Sequence, residues 1–274
     1  MGSSLLAFMS CEKLSRNLYR GQSKDLKTGQ VYGGQVLGQA INAASNAVDD
    51  SRLLRSAHAY FLRKGDVDAP IIYHVDRALD GGSVSSRVII ASQHGKPILH
   101  LSASYHKEES GLDYYPRIEL PLAALDKAIA NEDFFIRHFQ ADFLDVVRIP
   151  KPEKSKDDTI RFWVKTKEQL PDTNDAQNAV LAYISDMGLL YSTLAPHKLL
   201  RESRPKDMNI MMASIDHAIW FHRPFRADDW FFYECTPISN SGARGLSQGR
   251  LYDRQGHLFA STTQEGLIRI IDKK

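Results

Sequence analysis

A chain of 274 residues with 43% hydrophobic and 25% charged residues has the balance of a folded globular protein, and its length suits one large domain or two modest ones. Thirty-five Lys and Arg against 33 Asp and Glu leave a formal charge of +2, which removes the electrostatic case for nucleic acid or an anionic membrane as partner. Two cysteines, Cys11 and Cys235, with no CxxC pair, give no sign of a disulfide framework or a cysteine zinc site and suit a reducing, intracellular setting.

Along the chain, MGSSLLAFMSCEK lacks a cationic region ahead of its apolar residues, so no secretory signal is expected. A short strand is expected over Lys13 to Tyr19, then a helix over Gly33 to Val48. Aromatic and β-branched runs between turn residues mark strands at Ser56 to Arg63, Ile71 to Leu79, Ser83 to Gln93 and Pro97 to His106. Glu108 to Asp158, with Pro116, Pro121, Pro150 and Pro152, reads as a connector with an amphipathic stretch near Leu122 to Phe135 and a solvated charge run at Lys151 to Asp158. The first order of elements then returns roughly 160 residues on. A strand at Thr159 to Val164 and a helix at Asp175 to Leu194 precede strands at Ser214 to Arg223, Trp230 to Thr236, Ala243 to Tyr252 and His257 to Ile270. The expected division is a repeat over residues 1–110, a connector over 111–156 and a second repeat over 157–274. Each unit is one long helix against an antiparallel sheet, which closes a core. The longest apolar stretch, around Ala179 to Tyr191, is too short to cross a bilayer.

Asp186 interrupts that stretch, falling on a helical wheel beside Ala179, Ala182 and Leu190. A carboxylate there is either hydrogen-bonded or lines a polar cavity, unless it sits at a domain edge. In the strand ASIDHAIWFHRPF, alternation puts Ser214, Asp216, Ala218 and Trp220 on one face and Ile215, His217, Ile219 and Phe221 on the other. Ser214 is not in a GxSxG elbow, which argues against a serine nucleophile. His217 and His222 have no second cluster at ligand spacing, so they read as structural, and no metal is expected. In HLFASTTQEGLIRI, Gln264 points with Ala260 and Thr262, and an amide inside such a core orients a neighbour or a water. The segment YGGQVLGQA (Tyr32 to Ala40) lacks P-loop and GxGxxG spacing; its small residues suit close helix-to-sheet packing.

The strings VYGGQVLGQA, HAYFLRKGD, GKPILHLSASY, SIDHAIWFHRPFRADDW, SGARG and STTQEG together resemble the acyl-CoA thioesterase II, or TesB-like, family, over both halves and in order. The resemblance implies an α+β double-hotdog fold and hydrolysis of fatty acyl-CoA. It implies a catalytic trio of Asp186, Ser214 and Gln264 holding a water, with no covalent intermediate, cofactor or metal. Bacterial members tend to have Thr where Ser214 stands, and both carry a hydroxyl. Arg63, Arg87, Arg223 and Arg244 are the candidates for the CoA phosphates, each with a structural ion pair as its alternative. A homo-oligomer, dimer or tetramer, is implied. The peroxisomal members end in a Ser-Lys-Leu-type signal; Asp272-Lys273-Lys274 is not one, so a cytoplasmic location is expected. Two rivals share the fold: a hydratase or dehydratase, which needs a helix histidine that neither helix has, and a non-catalytic acyl-CoA binder.

Overall fold

The apolar residues that recur every second position in the strands do so because one sheet face is buried against helices; Val84–Gln93, for example, alternates buried and accessible side chains along most of its length. A computed structural model describes residues 4–26, 28–130, 142–151, 157–197 and 210–271. Most of the charge run Lys151 to Asp158, the end of the stretch Leu122 to Phe135 and the terminal Asp272-Lys273-Lys274 lie outside the described residues.

The first half contains α1 (Leu5–Met9), β1 (Glu12–Ser15), β2 (Leu18–Gly21), α2 (Gly33–Ser45), β3 (Arg52–Phe61), β4 (Ile71–Asp80), β5 (Val84–Gln93) and β6 (Lys96–Lys107). Between the halves lie α3 (Leu122–Ala130) and β7 (Leu144–Ile149). The second half contains β8 (Ile160–Thr166), α4 (Asn174–Ser185), α5 (Leu189–Ser192), β9 (Ile210–Ser214), β10 (Asp216–Phe221), β11 (Phe231–Ser241), β12 (Arg244–Tyr252) and β13 (Leu258–Ile270). The strand expected over Lys13 to Tyr19 is instead a hairpin, folded back at Arg16 and Asn17 so that Lys13 pairs with Tyr19.

Sheet order is β1-β2-β4-β5-β6-β3-β10-β13-β12-β11-β8-β7, all antiparallel, with β9 added on β13. Read outward from the β3–β10 seam, the two sides match: β6, β5, β4 and β2 on one, β13, β12, β11 and β8 on the other. Each side wraps a central helix, α2 or α4, and the two helices pack on each other. This is a double hotdog. Gly34 faces Tyr183 and Gly38 faces Ala179 across the helix contact, so α2 and α4 run antiparallel and the start of one lies beside the end of the other. One continuous core runs through both halves, from Leu37 and Tyr73 to Tyr183 and Phe259. Beyond β8 and β11 a second cluster, with Trp163, Trp230 and Phe232, lies under Leu125 and Ala128 of α3. These strands therefore alternate between two apolar environments, which is why FWV and FFY are apolar without a break.

Two elements depart from the sequence expectation where the site is built. The helix expected over Asp175 to Leu194 ends at Ser185; Asp186 is its C-cap, and Gly188, at φ 85°, turns the chain into α5. The strand expected from Ser214 onward is divided by a bulge. On β13, Ser214 pairs with Gly266 but Ala218 pairs with Thr263, so the chain slips by one residue between them.

Candidate active site

That bulge redirects Ser214. The Ile215 amide donates to the Glu265 carbonyl at 2.9 Å, and the Glu265 amide donates to Asp216 Oδ1 at 2.8 Å, so Ile215 and Asp216 fold around Glu265. Strict alternation would set Ser214 with Ala218 and Trp220. Instead its partner Gly266 is buried, and Ser214 shares the inner side with His217. Gln264 is fully buried on β13, on the face of Ala260 and Thr262 as alternation requires.

Asp186, Ser214 and Gln264 come together. Gln264 Nε2 donates to Asp186 Oδ1 at 2.5 Å and to Ser214 Oγ at 2.9 Å. Gln264 Oε1 is buried and has no partner among the described residues. Since Ser214 accepts from the amide, its own hydroxyl proton is left to donate elsewhere.

The first half supplies the other wall. The antiparallel helices set Asp186, at the end of α4, against Gly33 and Gly34, the first residues of α2. A Cβ on Gly33 would stand 2.8 Å from Asp186 Oδ2, and one on Gly34 would stand 2.4 Å from the Tyr183 carbonyl oxygen. The glycines of YGGQVLGQA thus serve helix-to-helix contact, not the helix-to-sheet packing expected from sequence. The Gly34 amide and the Tyr32 hydroxyl also hydrogen-bond Asp186, Tyr32 sharing its one proton with the Tyr183 carbonyl at 3.3 Å. Burial pushes the Asp186 carboxyl up to about 6, against the downward pull of its bonds from Gln264, Gly34 and Tyr32. A group balanced near neutrality is equipped to exchange a proton.

A second network holds the chain beside Asp186. Ser185 Oγ donates to the Ala182 carbonyl at 2.9 Å and lies 2.9 Å from His217 Nε2, which therefore carries the proton. Burial pushes His217 down to about 3, so it is neutral. The Ser185 carbonyl accepts from Tyr233 Oη at 2.6 Å, and Tyr233 lies 3.1 Å from Thr262 Oγ1. Sequence reading found neither Tyr32, Gly34, Ser185, Tyr233 nor Thr262. The usable signal was a run of polar groups on otherwise apolar inward faces.

The arginine candidates separate. Arg87 is buried and bonded to the Ala47, Leu79 and Ser86 carbonyls and to Asp80 at 2.6 Å. Arg223 pairs with Asp113, donates to the Leu258 carbonyl and covers the Tyr115 ring. Arg244 pairs with Glu265 at 3.0 Å. Arg63 makes a bond of 2.6 Å from Nη1 to the Pro97 carbonyl and is exposed, two residues beyond Phe61, whose ring borders Gly33. No group of three or more His, Cys, Asp or Glu able to hold a metal occurs among the described residues.

The acyl-CoA thioesterase N-terminal domain family matches residues 23–106, and the acyl-CoA thioesterase family matches residues 129–267. Acyl-CoA thioesterase 2 of Haemophilus influenzae is 33% identical, with 97% of each chain covered. The chain belongs to the acyl-CoA thioesterase II family. Human acyl-coenzyme A thioesterase 8 is 32% identical to this family member, over 96% of this chain and 88% of that one. The crystal structure of acyl-CoA thioesterase II from Mycobacterium marinum superposes with a TM-score of 0.81 at 32% identity, covering 98% of both chains. This thioesterase accordingly acts on acyl-CoA thioesters and has the double-hotdog fold. Among its described residues no helix is long and apolar enough to cross a membrane.

Proposed function

We propose that Asp186 is the general base of fatty acyl-CoA hydrolysis, and that Ser214 and Gln264 hold the attacking water against it. The observation that carries this is one buried amide nitrogen bonded at once to a carboxylate and a hydroxyl. The water receives a hydrogen bond from Ser214 Oγ–H and gives one proton to ionised Asp186, while Gln264 fixes both of these groups through its Nε2. Its oxygen forms a bond to the thioester carbonyl carbon. The tetrahedral intermediate then collapses, the C–S bond breaks, and the sulfur leaves with the proton that Asp186 took. The products are the fatty acid and CoA, and no acyl-enzyme forms. The positive end of the α2 dipole lies at the same corner and favours the negative charge that develops there. Neither α2 nor α4 contains a histidine, so the hydratase or dehydratase chemistry lacks its helix base.

The test is turnover of palmitoyl-CoA, followed by a thiol-reactive dye that reports free CoA. Asp186→Asn should keep the fold and lose about 10²- to 10⁴-fold in kcat. Near-parental turnover would falsify the assignment, and a parent chain silent across chain lengths would favour the non-catalytic binder.

Three further readings belong with this proposal. Arg63 meets the CoA phosphates, supported by its exposure beside Phe61 and the single hydrogen bond of its side chain; Arg63→Ala should raise KM severalfold with kcat held. The free thiols Cys11 and Cys235 fit the cytoplasm. Assembly into a dimer or tetramer rests on the resemblance and is read by sedimentation.

A further inference from the structure

The polar network beneath the catalytic corner is more than core satisfaction. Asp186 is not inside a helix but is the C-cap of α4, where the last carbonyls have no partner within the helix and must find one outside it. The peptide leading into it is held from three strands. Tyr233 of β11 donates to the Ser185 carbonyl at 2.6 Å; Thr262 of β13, at 3.1 Å, donates in turn to the Tyr233 hydroxyl, whose single proton is committed. His217 of β10 donates to the Ser185 hydroxyl at 2.9 Å. Ser185, Tyr233, Thr262 and His217 are each 0–1% exposed, so no water substitutes for a lost partner without rearrangement. A Cβ on Gly249 would stand 2.1 Å from Thr262 Oγ1 and 2.6 Å from the Tyr233 ring, so the sheet closes over the network.

The matching half of the fold supplies a comparison. Tyr73 is the third residue of β4 as Tyr233 is of β11, and both are fully buried. The Tyr73 hydroxyl, however, donates to Gln39 Oε1 at 2.8 Å, a side chain in the middle of α2, away from the helix end. The same position on the same fold therefore stabilises a helix body in one half and grips a helix end in the other.

We infer that Tyr233, seconded by Thr262 and His217, is a positioning residue of the thioesterase: it fixes the Ser185–Asp186 junction so that the carboxylate meets Gln264 and the bound water. This rests on the reading of Asp186 as the base. A base displaced by a fraction of an ångström loses rate more than binding, so Tyr233→Phe should lower kcat about tenfold with KM within about twofold.

The experiment compares Tyr233→Phe and Tyr73→Phe, each in the parent and in an Asp186→Asn background, with kcat and KM measured per folded protein and melting temperature recorded for all. Both substitutions remove a buried hydroxyl and should lower the melting temperature, but only Tyr233→Phe should lower kcat, and its effect on rate should vanish once Asp186 is Asn. Should Tyr233→Phe not fold, Thr262→Val, which leaves the Ser185 bond but loosens it, takes its place with a smaller loss of kcat in the same pattern. If Asp186→Asn is inactive while Tyr233→Phe, or its substitute, keeps full kcat and loses only melting temperature, the positioning role is overturned and the base stands. If Asp186→Asn itself turns over normally, the base fails and the positioning role with it.

Discussion

Asp186 owes its chemistry to a conflict between burial, which favours the neutral acid, and three hydrogen bonds that favour the carboxylate; burial wins, and the group titrates near 6 instead of near 3.8. A base must be ionised, so kcat/KM for palmitoyl-CoA should fall about tenfold per pH unit below pH about 6 in a pH–rate profile. Survival of full activity to pH 4 would point to another base. Linkage gives a second consequence. A carboxyl whose folded pKa is raised penalises folding when it is ionised; the penalty is full above the folded value and disappears as pH falls through 6 towards 3.8. Asp186→Asn should thus gain melting temperature over the parent at pH 7 to 8 and lose that advantage by pH 4, as read by thermal denaturation across pH. At this scale the sequence was partly legible. Gln264 could be placed on an inward face by counting in twos from Ala260, and Asp186 stood out as a charge in an apolar run. Ser214 could not be aimed, because one slipped residue reverses every face beyond it and alternation carries no mark of a bulge. That the three residues form a trio came from the family resemblance.

Among the elements, the decisive contact is between α2 and α4. Gly34 permits the Tyr183 carbonyl to approach where a methyl group cannot fit, and the obstacle is backbone, which does not swing aside. Gly34→Ala should cost about 1–3 kcal/mol in chemical denaturation and should also depress kcat, since it moves the amide that bonds Asp186. Arg87 plays a comparable part at the far end of α2, joining the Ala47 carbonyl to β4 and β5 from a fully buried position. Arg87→Ala should lose about 3–5 kcal/mol of stability, because five hydrogen bonds, four of them to the Ala47, Leu79 and Ser86 carbonyls and the fifth also the ion pair to Asp80, lose their donor. The helices and most strands followed from period and turn residues. The end of α4 was also written in the chain, as Asp186-Met187-Gly188, a polar cap followed by a residue free to take positive φ. Counting the apolar run alone passed over it.

For the whole molecule, the antiparallel pairing of β3 with β10, Ala218 opposite His58, makes one sheet of what the sequence presents as two repeats. The core crosses the same boundary through the helix contact. Calorimetry should therefore show a single unfolding transition, with calorimetric and van't Hoff enthalpies equal; two resolved transitions would mean that the halves hold themselves together. The repeat was visible in the order of elements, but their fusion was not, since strand edges join through backbone groups that every residue carries. Because the carboxylate comes from one repeat and the Gly34 backbone amide that bonds it from the other, a chain cut between β6 and α3 would yield two fragments that are each inert. Their reunion would restore hydrolysis, so the enzyme carries within it the makings of a reporter for whatever brings two fused baits together.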